Sequence, residues 1–219
     1  MFQTHLFDSH FIPSLIPSRK LMLVFHGRGD SLKPFKKFQE ELNIKDINFL
    51  LLNAPRKFMK GYTWYGEPPF ERAGVLKTRE RIFELLGELE EHGWRSEDIF
   101  LLGFSQGSLV STDVALHYGK KLGGVVGVSG YFHFFPRWRN QLTKNSRRTP
   151  WLFTHGKKDE VLDFQETRHG VEKLLSEGLK ISWVESNKRH VFSEEDYPVI
   201  RKWVKNQMSS LNSSTSLKS

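Results

Sequence analysis

Residues 99–107 read Ile-Phe-Leu-Leu-Gly-Phe-Ser-Gln-Gly, and they limit the possible folds more than any other segment. Ile99 to Leu102 is short and wholly apolar, as expected of a strand buried on both faces. Gly103-Phe104-Ser105-Gln106-Gly107 follows as a G-x-S-x-G pentapeptide, and Ser108 to Tyr118 then reads as a helix. A serine on a sharp strand-to-helix turn sits in a strained backbone conformation, with its hydroxyl clear of the sheet. Glycines two before and two after it leave room where the chain crowds itself. The pentapeptide alone is a weak signal. The strand before it and the helix after it give it weight.

The same alternation runs along the chain. Leu21–Phe25, Ile47–Leu52, Val125–Val128 and Trp151–Thr154 are further short, largely apolar runs, and Lys180–Val184 reads as a sixth strand. Between them, Arg72 to His92 carries Ile82, Leu85, Leu86 and Leu89 at helical spacing. Asp163 to Ser176 reads as a helix stopped by Gly178. Ser193 to Met208 reads as a last helix, with Ser193 as N-cap and Glu194, Glu195 and Asp196 on the helix dipole. Strand and helix in alternation imply βαβ crossovers, hence an α/β fold with a mostly parallel central sheet and helices on both faces. One domain over residues 1–208 is expected, followed by a Ser-rich, flexible tail over 209–219. Ligands of such sheets bind beyond the C-terminal strand ends. His26-Gly27, Asn53-Ala54-Pro55, Ser105, Ser129-Gly130 and His155-Gly156 all fall at such ends.

Composition narrows the chemistry. The 219 residues contain no cysteine, which excludes disulfides, thiolate metal sites and a cysteine nucleophile. The N-terminal twenty residues have no uninterrupted apolar core, and no run approaches a membrane span, so a cytoplasmic protein is the default. The net charge of +8 favours anionic partners such as a phospholipid surface. The charge is spread widely with no nucleic-acid-binding signature, and nucleic acid is not the expected partner.

A serine hydroxyl needs a base to take its proton, and the base needs an acid to hold its tautomer. In chain order Ser, acid, His, the best acid is Asp159 after the fifth strand, and the best base is His190 between the sixth strand and the last helix. At this point the sequence resembles the phospholipase/carboxylesterase family of small α/β-hydrolases, which includes acyl-protein thioesterases. The resemblance is carried by His26-Gly27-Arg28-Gly29-Asp30, Gly103 to Gly107, His155-Gly156 with Asp159, and His190. Leu52 to Pro55 and Trp64-Tyr65 match more weakly, and together the matches span roughly residues 20–205. The resemblance implies Ser105 as nucleophile, His190 as general base, Asp159 as its orienting acid, and the backbone N–H groups of Gln106 and Arg28 as oxyanion hole. It implies hydrolysis of acyl esters, thioesters or lysophospholipids, with small-molecule, protein or lipid substrates and a homodimer as an option. The chain departs from the family pattern at Ser108 in place of glycine, at Arg28 in place of an apolar residue, and at the lead-in Asn187-Lys188-Arg189 to the histidine.

Trp64, Tyr65, Tyr131, Phe132, Val161 and Val191 are the candidate substrate-binding residues. Tyr131 to Arg148 mixes aromatic and basic residues; it suits either a pocket wall near an anionic surface or a core-filling loop. Asp163 is expected to cap its helix, Asp113 to lie on the surface, and His169 to sit on a helix exterior. His26 and His155 are expected to hydrogen-bond turn backbone, with His26 bracing the oxyanion loop. No histidine spacing suggests a metal, and no cofactor is expected. The competing readings are a catalytically silent hydrolase fold acting as a binding protein, and a basic membrane- or nucleic-acid-associated module.

Overall fold

The computed structural model describes residues 2–216, with side chains described to Ser210. Its strands are β1 (Ser9–Ile12), β2 (Leu21–Phe25), β3 (Asn48–Leu52), β4 (Arg56–Phe58), β5 (Gly61–Thr63), β6 (Ile99–Phe104), β7 (Gly124–Val128), β8 (Pro150–Gly156) and β9 (Lys180–Ser186). Its α-helices are α1 (Phe38–Leu42), α2 (Glu71–Glu91), α3 (Gln106–His117), α4 (Phe135–Trp138), α5 (Phe164–Ser176) and α6 (Asp196–Ser216). Seven strands form one sheet in the order β1-β3-β2-β6-β7-β8-β9. β1 pairs antiparallel with β3, and the other pairings are parallel.

The period of two along each strand divides the core. Leu21, Leu23, Phe25 and Leu101 point to the face covered by Ile82 and Leu85 of α2, Leu109 and Val114 of α3, and Val171 of α5. Met22, Val24, Phe100, Leu102 and Val126 point to the other face, covered by Phe38 and Leu42 of α1 and by Ile200 and Val204 of α6. Strands buried on both faces must be apolar throughout, which is why the central ones read as unbroken runs. Two layers of helices therefore enclose a sheet whose C-terminal ends open on one edge.

A very close backbone approach lies between α3 and the strands beneath it. A Cβ on Gly103 would stand 2.2 Å from the Gly107 carbonyl oxygen. One on Gly107 would stand 2.2 Å from the Phe25 carbonyl oxygen. Helix and sheet thus touch backbone to backbone where α3 begins. The same turn is also tight at Ser108: Cβ atoms on Gly127 and Gly130 would stand 2.5 and 2.2 Å from its hydroxyl.

Four features differ from the sequence reading. The edge strand β1 was not expected, because four residues of mixed polarity give no clear period. The β4–β5 hairpin and the short helix α1, preceded by a 3-10 turn over Lys33–Lys37, were likewise missed. The last helix begins at Asp196, not after Ser193; the Ser193 backbone N–H and hydroxyl both donate to the Asp196 carboxylate. That helix continues through Ser216, well into the segment expected to be a flexible tail, whose last three residues lie outside the described residues. Among the described residues no helix is long and apolar enough to cross a membrane.

Two predictions follow from this packing. Gly107→Ala should lose at least about 3 kcal/mol of stability in denaturant unfolding, since backbone cannot move aside as a side chain does. A loss below about 1 kcal/mol would contradict the close approach. The second concerns His26 and His155, which are almost fully buried at strand ends. Burial lowers both imidazole pKa values from the ordinary 6.5, so both are neutral in the folded state. Their contribution is complete above pH ~6.5 and is lost as pH falls through the lowered folded values, because the unfolded chain then binds more protons. The melting temperature should fall between about pH 7 and 5, and His155→Gln should make that slope shallower. An unchanged slope would refute the assignment.

Candidate active site

The site forms where β6 hands over to α3. Ser105 has φ 52° and ψ −115°, a conformation costly for any residue with a Cβ. Its backbone N–H donates to the Val128 carbonyl on neighbouring β7 at 2.9 Å, and its own carbonyl accepts from Ser108 N–H at 3.0 Å. These bonds hold the turn, and the hydroxyl is left facing the C-terminal edge of the sheet.

The Ser105 Oγ lies 2.9 Å from His190 Nε2. His190 Nδ1 lies 2.8 Å from Asp159 Oδ2. An ionised carboxylate only accepts, so Nδ1 carries the proton and Nε2 presents a lone pair to the serine O–H. The other Asp159 oxygen accepts from the backbone N–H groups of Val161 (3.0 Å) and Leu162 (2.8 Å). The carboxylate is fully buried, and the imidazole side chain is 13% exposed. A further imidazole, His155, stands with Nε2 3.4 Å from the same Asp159 oxygen and 3.1 Å from the Leu162 carbonyl. The three residues expected to act together are therefore brought together, in an order that can pass a proton from serine to imidazole.

Of the two expected oxyanion donors, Gln106 directly follows the serine, and Arg28 directly follows Gly27 on the neighbouring loop. Gln106 opens α3, and a Cβ on Gly27 would stand in van der Waals contact with the Ser105 Cβ, at 3.6 Å. Among the described residues neither the Gln106 nor the Arg28 backbone N–H has a protein acceptor. The side chain of Gln106 is fully occupied elsewhere. Its Oε1 accepts from Thr63 Oγ1 (3.0 Å) and Trp64 N–H (2.9 Å), and its Nε2 donates to the Tyr65 carbonyl (3.2 Å). His26 bridges the loops from both ring nitrogens. Nδ1 donates to the Gly27 carbonyl (2.6 Å), and Nε2 accepts from Ala54 N–H (3.1 Å). Sequence reasoning foresaw the brace at His26 but not the one at Gln106, because its partners lie some forty residues away.

The candidate substrate-binding residues fall in different places. A cavity of about 240 Å³ beside His190 is lined by Val191 with Phe35, Phe104, Phe192 and Asp30. A second, of about 390 Å³, is lined by Tyr131 and Phe132 with His133, Leu162 and Thr167. Tyr65 is buried, with its hydroxyl bonded to that of Tyr131. Trp64 lines neither cavity. It is packed against Phe25 and His26, and its indole N–H donates to the His26 carbonyl at 2.8 Å. Val161 is 64% exposed and lines neither cavity. The Arg28 guanidinium lies 4.3 Å over the Phe58 ring and pairs with Glu67, so its charge is partnered.

Between Tyr131 and Arg148 the two readings divide by residue. Phe134, Phe135 and Trp138 are buried, while Arg137 and Arg139 are exposed. Asp113 is not on the surface. It is buried, accepts the Trp138 indole N–H at 2.8 Å, and lies 3.5 Å from Arg79. Burial pushes its carboxyl pKa up against the pull of Arg79. No local signal shows this, because both partners come from other helices. Asp163 caps α5 by accepting Glu166 N–H at 2.8 Å, and His169 is exposed on that helix.

Comparison with known proteins shows the family and the fold. The family described as phospholipase/carboxylesterase matches residues 10–204. A probable carboxylesterase, SOBER1-like, from Arabidopsis thaliana is 25% identical over 90% of this chain and 82% of its own. Acyl-protein thioesterase 1 from Aspergillus fumigatus is 27% identical over 78% of this chain and 80% of its own. In fold, the crystal structure of Arabidopsis thaliana SOBER1 superposes with a TM-score of 0.81 at 22% identity, covering 88% of this chain and all of that one. The Bacillus cereus carboxylesterase superposes with a TM-score of 0.80 at 16% identity, covering 93% of this chain and 95% of that one. With the family match spanning nearly the whole sheet and its helices, the chain belongs to the phospholipase/carboxylesterase family of α/β hydrolases.

Proposed function

We propose that the chain is a serine carboxylesterase or thioesterase that works through an acyl-enzyme on Ser105. The observation that carries this reading is the continuous hydrogen-bonded series from Ser105 Oγ through His190 to Asp159, at 2.9 and 2.8 Å. His190 takes the hydroxyl proton as Ser105 attacks the acyl carbonyl. The oxyanion that forms is met by the N–H groups of Gln106 and Arg28, neither of which has a backbone acceptor among the described residues. Asp159 stabilises the imidazolium. The imidazolium then protonates the leaving alcohol or thiol, and water attacks the acyl-enzyme with His190 as base.

The relatives named carboxylesterase and acyl-protein thioesterase support an acyl ester or thioester as the bond cleaved, with an acylated protein or lipid as candidate substrate. The basic surface suits an anionic leaving group or a transient anionic membrane contact. A chain without cysteine fits a reducing compartment such as the cytoplasm.

Hydrolysis of p-nitrophenyl esters from acetate to long acyl chains tests the reading. Wild type should turn over, and Ser105→Ala and His190→Ala should each lower kcat by at least about 10³-fold while remaining folded. Asp159→Asn should lower it by a similar order, because the wrong tautomer then faces the serine. A fluorophosphonate probe should label wild type at Ser105 only. A folded wild type with neither turnover nor labelling would sink the proposal and leave a silent binding protein.

A further inference from the structure

The loop that presents His190 is fastened by a charge pair with no part in the proposed chemistry. Lys188 stands two residues before His190, and its side chain is only 3% exposed, whereas lysine ordinarily keeps its ammonium in water. Its Nζ donates to both oxygens of Asp196, at 2.7 and 2.6 Å. The same carboxylate accepts from Thr154 Oγ1 on β8 (3.0 Å), from Ser193 N–H (2.9 Å) and from the Ser193 hydroxyl (3.2 Å). One carboxylate therefore joins both shoulders of the His190 loop, at 188 and 193, to the strand that leads to Asp159.

The backbone extends this fastening. The Lys188 carbonyl accepts from Lys158 N–H at 3.2 Å, and a Cβ on Gly156 would stand 2.1 Å from that carbonyl oxygen. The Ser186 carbonyl accepts from Lys157 N–H at 2.8 Å. The loop bearing the imidazole and the loop bearing the carboxylate it must meet are thus held in one register. A buried ion pair is often no more stabilising than apolar side chains of the same size. Stability alone is therefore a poor account of a lysine and an aspartate in this place.

We propose that Lys188 and Asp196 are a positioning pair, which sets the His190 imidazole between Ser105 and Asp159 and acts on rate rather than on stability. The inference rests on the serine-hydrolase reading above. Its test uses Lys188→Met, Lys188→Arg and the double variant Lys188→Met/Asp196→Leu, in which no charge is left buried. Each is followed by thermal unfolding, by kcat and KM on p-nitrophenyl acetate, and by the downfield NMR signal of the His190 Nδ1 proton shared with Asp159. In the double variant kcat should fall roughly tenfold to a hundredfold, the order of loss expected when a reacting group is misplaced by about 1 Å. KM should change little, the His190 proton signal should shift or broaden, and the melting temperature should hold. Lys188→Arg should recover part of the rate. A folded double variant with wild-type kcat and an unmoved proton signal would overturn the proposal. So would a double variant that does not fold, since the pair would then be a stability element. Should wild type itself show no turnover, the hydrolase reading fails instead, and the proton signal still reports whether the pair sets the imidazole.

Discussion

The organisation of this site depends on one steric fact: helix α3 lies on the sheet with no side chains between them at its first turn. Gly103 and Gly107 permit contact of peptide groups with peptide groups. That contact forces the chain to reverse within one residue between β6 and α3. The residue in the reversal is Ser105, whose positive φ follows from the reversal. Cross-strand bonding to Val128 and the helical bond from Ser108 hold it there. The strain is local, and the cooperative packing on both sheet faces offsets it.

Around that turn, polar groups are used in a consistent way. Side chains that could reach the serine are committed to the backbone of other loops, and the backbone donors nearest it are left free. Gln106 spends its amide on residues 63–65 while its N–H remains open. His26 spends both ring nitrogens on Gly27 and Ala54. Burial keeps His26 and His155 neutral, so neither adds a fixed positive charge beside Asp159 or the oxyanion loop. The polar groups around the serine are thereby held by partners within the fold before a substrate enters.

The sequence was legible where a signal was local or repeated. Six strands were read to within a few residues, five of them because burial on both faces leaves unbroken apolar runs, whereas β9 is half-exposed and mixed in polarity. Ser105, Asp159 and His190 were placed by chain order and by strand ends, and the fold brings them into hydrogen-bond contact. What escaped depends on distant partners. β1 is defined by its pairing with β3, and its own sequence is too short and too polar to declare a strand. Asp113 looked like an exposed helical acid until Trp138 and Arg79 arrived from other helices. Trp64 lines a cavity with Pro55 and Lys77, but no local signal showed that its indole serves the carbonyl of His26. In each case residue type was read correctly, and the direction of the side chain was decided by elements elsewhere in the chain.

The tight packing around Ser108 has a consequence for how this sequence can drift. Ser108 fills the space that a second glycine would leave, and Gly127 and Gly130 face its hydroxyl. The three positions share one small volume. As long as 108 carries a hydroxymethyl group, 127 and 130 are confined to glycine. Removing that group opens room at 130 and leaves 127 still hemmed in by Phe153. Substitutions at 108 and 130 are therefore accessible in one order and not in the other, so the history of exchanges beside the serine is directional.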